Sequence, residues 1–176
     1  MTIWICSLAA APEMAERLKP SRVVSLLSPY DSFPTFSALG KDLHLQVAIH
    51  DITADIGDWQ APAQTDAERV IRFVEGWDRA APMLIHCWAG ISRSTATAYI
   101  TACVHNPDAD ERAIAEALRE ASPTATPNRR FVALADQALG RDGRMSAAIE
   151  AIGPGYPRWP DIREAEPFAL PSRFAA

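Results

Sequence analysis

Three cysteines in 176 residues, Cys6, Cys87 and Cys103, are odd in number and too scattered to form a disulfide framework or a metal spacing. The histidines supply no ligand interval either, since His44, His50 and His105 stand apart, so no metal and no other cofactor is expected. No apolar span reaches 18 residues, and Met1 leads straight into a short strand-like run without a charged leader, which points to a cytoplasmic chain with no membrane partner. A net charge of −5 offers no general basic excess for nucleic acid or anionic lipid. Internal repeats, a linker and a second domain are also missing. What is present is an ordinary globular composition, 48% hydrophobic and 22% charged, on a length that suits one domain with a real core.

Apolar runs at Thr2–Cys6, Arg22–Leu27, Leu43–Ile49 and Met83–His86 read as strands, the third from its alternating Leu43, Leu45, Val47 and Ile49. Helical signals separate and follow them at Pro12–Leu18, Thr65–Ala80, Thr95–Val104, Asp108–Ala121 with an Asp cap, and Arg141–Ile152. The alternation predicts a single α/β domain over residues 1–152, with a central, mostly parallel sheet of about four to five strands flanked by helices on both faces. Residues 153–176 hold five prolines and two glycines and read as a tail packed on or trailing from that domain. Ser28–Lys41 reads as a loop whose Tyr30, Phe33 and Phe36 either wall a cleft or pin the loop to the core. In such a sheet, ligands gather at the carboxyl ends of the strands.

The chemistry concentrates in His86-Cys87-Trp88-Ala89-Gly90-Ile91-Ser92-Arg93-Ser94, between the fourth strand and an Ala/Thr-rich helix. A tight strand-to-helix loop turns successive N–H groups inward at the positive end of a helix, so Trp88, Ala89, Gly90, Ile91, Ser92 and Arg93 form a candidate phosphate cradle. The helix end and Arg93 both favour the Cys87 thiolate, which makes Cys87 the candidate nucleophile. Arg93 can bind two non-bridging oxygens with its planar fork, Gly90 supplies backbone freedom, and the Ser94 hydroxyl can stabilise a departing thiolate. His86, beside the nucleophile, is expected to tune the sulfur through the backbone rather than to act as general base.

His-Cys, five residues, Arg-Ser resembles the signature of the cysteine-dependent protein tyrosine phosphatase superfamily, matched here at His86, Cys87, Gly90, Arg93 and Ser94. The resemblance, closest to the dual-specificity branch, implies a two-step hydrolysis of phosphate monoesters through a phosphocysteine. It also implies an acid on the loop after the third strand. Asp51 follows that strand directly and is the leading candidate, with Asp55 and Asp58 as alternatives on the same loop. Pro127-Asn128-Arg129-Arg130-Phe131 resembles a segment whose asparagine supports the phosphate loop, which gives Asn128 that role or the simpler one of a helix cap. Where the family often has a glutamine three residues past the phenylalanine, this chain has Leu134, and Gln137 is no obvious substitute. Arg129 and Arg130 either steer anions or lie on the surface.

Trp159-Pro160-Asp161 spells the tripeptide that carries the acid in the tyrosine-specific branch, but it trails the nucleophile instead of preceding it, so Asp161 is not expected to be catalytic. No lysine lies between Cys87 and Arg93, which disfavours an inositol headgroup; Trp88 and Ile91 give a less polar rim suited to phosphotyrosine or another aryl phosphate. The expected partner is thus a phosphorylated protein or aryl phosphate, with phosphoserine and phosphothreonine open and the oligomeric state unspecified. The alternatives are an idle phosphotyrosine-binding module, a phosphoinositide phosphatase, sulfur transfer or arsenate reduction. Arg93-Ser94 speaks against sulfur transfer, and Cys103, about three helical turns past the loop, is too distant to resolve a disulfide in reduction.

Overall fold

The computed structural model describes residues 1–157 and 161–176. Among them run five strands, β1 (Thr2–Ser7), β2 (Arg22–Leu27), β3 (His44–Ala48), β4 (Met83–Cys87) and β5 (Phe168–Pro171). Six α-helices accompany them: α1 (Ala11–Leu18), α2 (Gln64–Glu75), α3 (Arg93–His105), α4 (Glu111–Ala121), α5 (Arg129–Ala138) and α6 (Arg144–Ile152). The strands form one sheet in the order β3-β2-β4-β1-β5, parallel throughout except where β5 runs antiparallel to β1.

Strand β4 lies at the centre and is buried along its whole length, as its unbroken Met-Leu-Ile-His-Cys run requires. Successive side chains point to opposite faces. Ile3, Ile5, Val24, Leu26, Ile85 and Cys87 join the large core shared with α2 to α6, whereas Cys6, Val23 and Leu84 meet Met14 of α1 on the other face. Helix α3 is buried from Arg93 to Cys103, so it has no polar face to show. Its small residues let the neighbours close in, and the Thr97 and Thr101 hydroxyls donate to the carbonyls four residues back at 2.9 and 2.7 Å. No helix among the described residues is long and apolar enough to cross a membrane.

Four features differ from the sequence expectation. Helix α2 stops at Glu75 rather than Ala80, because Arg22 captures the Gly76 carbonyl at 2.7 Å and the Trp77 indole donates to Ala81. Helix α4 is capped by Asp110, which accepts from the Arg112 N–H, and not by Asp108, which lies within the turn that precedes the helix. Helix α6 begins at Arg144; Arg141 instead turns inward and pairs with buried Glu111 at 3.0 Å while donating to the Cys103 carbonyl. The C-terminal stretch supplies β5, an element that a Phe-Ala-Leu-Pro run does not announce.

Candidate active site

The loop between β4 and α3 has its carbonyls tied to the surrounding protein. Trp88 O accepts from Leu8 N at 3.1 Å, Ala89 O from Ala165 N at 2.9 Å and Ile91 O from Thr126 N at 2.9 Å. Ser92 O accepts from Ala96 N at 2.9 Å and Asn128 N at 3.4 Å. A planar trans peptide places its N–H opposite its C=O. The N–H groups of Ala89, Gly90, Ser92 and Arg93 are therefore turned toward the loop interior, at the N-terminus of a 13-residue helix. Gly90 adopts φ +75°, and a Cβ there would stand 2.9 Å from the Cys6 backbone carbon, so no other residue fits without displacing β1.

The Cys87 Sγ and Ser94 Oγ lie 3.1 Å apart, both buried. Arg93 is also buried, its Nη1 donating to the Ile49 carbonyl at 2.8 Å. Its Nε–H is shielded from solvent and makes no hydrogen bond among the described residues. The Nε and Nη2 edge makes no hydrogen bond among the described residues, so two donors stand side by side in the geometry of a planar fork. Burial pushes the Cys6 and Cys103 thiols up to about 12, which keeps both in the unreactive thiol form at neutral pH.

Asp51 emerges three residues past β3 and reaches the rim of the loop. Its Oδ1 accepts from Ser92 Oγ at 2.7 Å and Asn128 Nδ2 at 2.9 Å, while Oδ2 stands 3.9 Å from Arg93 Nε. The segment carrying it is pinned at both ends and in the middle. His50 and Gln60 exchange hydrogen bonds at its neck, 2.8 Å from His50 N to Gln60 O and 2.9 Å from Gln60 N to His50 Nδ1. Arg130 clamps the far side, pairing with Asp55 at 3.0 Å and donating to the Pro62 carbonyl at 2.9 Å. Asp55 is 79% exposed and turned to Arg130 rather than to Arg93, and Asp58 is exposed as well.

Asn128 is buried and does two things with one amide. Its Oδ1 accepts from Phe131 N at 3.0 Å, which caps α5, and its Nδ2 donates to Asp51 and, at 3.3 Å, to the Ile52 carbonyl. The side chain therefore supports the segment that carries Asp51, and among the described residues Asn128 bonds the loop between β4 and α3 through its backbone N–H, to Ser92 O. Beside Asp51 and Ser92 opens a cleft of about 400 Å³ whose walls include Ile52, Ile56, Pro127 and Arg129. Leu134 packs against the core, and Gln137 is exposed one turn on.

His86 is fully buried and its imidazole is pushed down to about 4, mainly by burial, with the Cys87 backbone opposing and His44 adding to the fall. The ring is therefore neutral at physiological pH, and its Nε2 meets the Ser25 hydroxyl at 2.6 Å. The aromatic loop residues divide. Phe36 packs edge-on against the His44 and His86 rings on the α1 face, whereas Tyr30 is exposed beside His50, against which Trp59 also packs at 4.8 Å. Trp88 is exposed on the phosphate loop itself. Trp159 and Pro160 lie outside the described residues, and Asp161 is exposed.

Residues that local sequence patterns missed are Arg130 as a clamp, Ser25 and His44 beside His86, and Ala165, whose N–H holds the loop from the tail. Only their contacts across the fold reveal them.

No family model and no curated protein matches the sequence. Solved structures do. The chain is similar to the crystal structure of DUSP15, with 19% identity, 85% of this chain and 90% of that one covered, and a TM-score of 0.57. It is similar to the PTP-2 phosphatase of Cydia pomonella at 22% identity, covering 77% and 84%, with a TM-score of 0.59. Human DUSP28 matches at 19% identity over 86% and 95%, with a TM-score of 0.58. At such identities the likeness is one of architecture: this chain has the fold of these dual-specificity and tyrosine phosphatase structures.

Proposed function

We propose that the protein is a phosphoric monoester hydrolase that transfers the phosphoryl group of a phosphotyrosine, or another aryl phosphate, first to Cys87 and then to water. The observation that carries this reading is the buried Arg93 Nε–H without an acceptor, on the same loop as Cys87 and facing Asp51 Oδ2 at 3.9 Å. A buried donor with no acceptor among the described residues is costly until an acceptor completes it, and an oxyanion between Arg93 and Cys87 would do so.

The chemistry follows from the positions. The inward amides and the Arg93 fork bind the three non-bridging oxygens and track their charge as the phosphoryl group moves. The Cys87 thiolate attacks phosphorus, and the P–O bond to the leaving group breaks as the S–P bond forms. Asp51 supplies the proton to the leaving oxygen. Oδ1 is occupied by two donors, so Oδ2 is the oxygen that carries it. In the second step Asp51 takes a proton from the attacking water, and the thiolate leaves toward the Ser94 hydroxyl. Exposed Trp88, with Tyr30 and Trp59 on neighbouring segments, gives aromatic surface on which an aryl group can pack.

Turnover of p-nitrophenyl phosphate, then of matched phosphotyrosine, phosphoserine and phosphothreonine peptides, tests the reading. The expected result is hydrolysis favouring phosphotyrosine and abolished in Cys87→Ser. Phosphopeptide binding without turnover would instead make the chain a binding module.

A further inference from the structure

Three adjacent strands carry a polar chain across the α1 face of the sheet. Ser25 on β2 lies directly opposite His86 on β4, with His44 on β3 offset by two residues. The Ser25 hydroxyl is 2.6 Å from His86 Nε2 and 2.8 Å from His44 Nε2. It owns one proton, so it donates to one imidazole and must accept from the other. Ser25 and His86 are fully buried and Phe36 packs edge-on against both imidazoles, which shields the Ser25–His86 contact from water.

The tautomer of His86 sets the direction of the chain. Its Nδ1 is buried and has no hydrogen-bond partner among the described residues, and the Cys87 backbone beside the ring favours its protonation. A proton on Nδ1 leaves Nε2 as an acceptor for Ser25 O–H, and the Ser25 oxygen then accepts from His44 Nε2–H.

We propose that His44 is a positioning residue: through Ser25 it holds His86 in the Nδ1–H tautomer, which aims that N–H at the backbone of the nucleophile. This rests on the phosphatase reading for its kinetic consequence but not for its spectroscopic one. His44 sits toward the sheet edge and is only half-buried, so substitutions there are accommodated more readily than at Ser25 or His86.

The test combines nitrogen-15 spectra of the histidine rings at neutral pH with kcat and KM on p-nitrophenyl phosphate. In the unaltered protein His86 shows a protonated Nδ1 and an acceptor Nε2. His44→Phe, Ser25→Ala and their combination each lower kcat about fivefold, the worth of one neutral hydrogen bond, with KM unchanged and no further loss in the double variant. The His86 signals move to a tautomer mixture in all three. His44→Gln, which keeps a donor, brings kcat back to within about twofold and restores the signals. An Nε2–H tautomer in the unaltered protein, an unmoved His86 spectrum in His44→Phe, or losses that add in the double variant would overturn the proposal. If the unaltered protein hydrolyses nothing, the phosphatase reading fails while the ring spectra still decide this one.

Discussion

The side-chain amide of Asn128 donates to Asp51 Oδ1 at 2.9 Å while its carbonyl accepts from Phe131 N at 3.0 Å, so one residue both starts helix α5 and holds the proposed acid. The two roles separate by substitution. Asn128→Ala loses the cap and costs about 1 kcal/mol; Asn128→Ser recovers much of that, because serine caps well, but is too short to reach the carboxylate. We expect kcat to fall about tenfold in both variants, a loss of the order of one hydrogen bond to a charged group. Urea unfolding and p-nitrophenyl phosphate kinetics on the pair measure the separation; recovery of activity with the cap would refute the positioning role.

Asp51 is the proposed acid, with Asp55 and Asp58 as the alternatives on its loop, and leaving-group dependence distinguishes them. Asp51→Asn should slow phenyl phosphate by about a hundredfold or more, affect an activated ester far less, and lose the basic limb of the pH–rate profile. Asp55→Asn, Asp58→Asn and Asp161→Asn should behave as the unaltered protein within about twofold, since Asp55 spends its charge on an exposed pair with Arg130. The same loss in Asp55→Asn would transfer the role.

Among the described residues, the tail meets the loop between β4 and α3 through one backbone hydrogen bond, Ala165 N to Ala89 O. Ala165→Pro removes that donor and frees the peptide that turns the Gly90 N–H inward. Vanadate affinity should weaken about fivefold, the worth of one hydrogen bond, as read by inhibition of turnover. Unchanged affinity would show that the remaining carbonyl contacts suffice.

His86 gives the fold a pH dependence of definite sign. Its folded value is near 4 against 6.5 in the unfolded chain, so between these pH values the unfolded state binds the extra proton. Stability from this group is complete above 6.5, falls as pH drops toward 4 and levels off below, a loss of up to about 3 kcal/mol. His44 and His105, also lowered by burial, act in the same direction. Denaturant unfolding at pH 7 and pH 4 should show the loss, with a smaller difference in His86→Gln.

The legible parts of this molecule were the local ones. Arg22–Leu27 announced its strand to the residue, and His86–Ser94 announced its loop because strand, turn and helix follow each other within one stretch. Asp51 could be placed at a strand end, but what holds it could not be read, since Asn128 is 77 positions away and Arg130 reaches back 68 to Pro62. The same applies to α2, whose end at Gly76 depends on Arg22, and to β5, which exists only because β1 offers an edge. Ser25, His44 and His86 meet only once three strands lie side by side.

The most direct test of the whole account is covalent. Asp51→Asn mixed with a radiolabelled, activated aryl phosphate and quenched in acid should retain phosphate on Cys87, mapped by peptide sequencing, and Cys87→Ser should retain none. Steady turnover by Cys87→Ser, or label on any other residue, would contradict it.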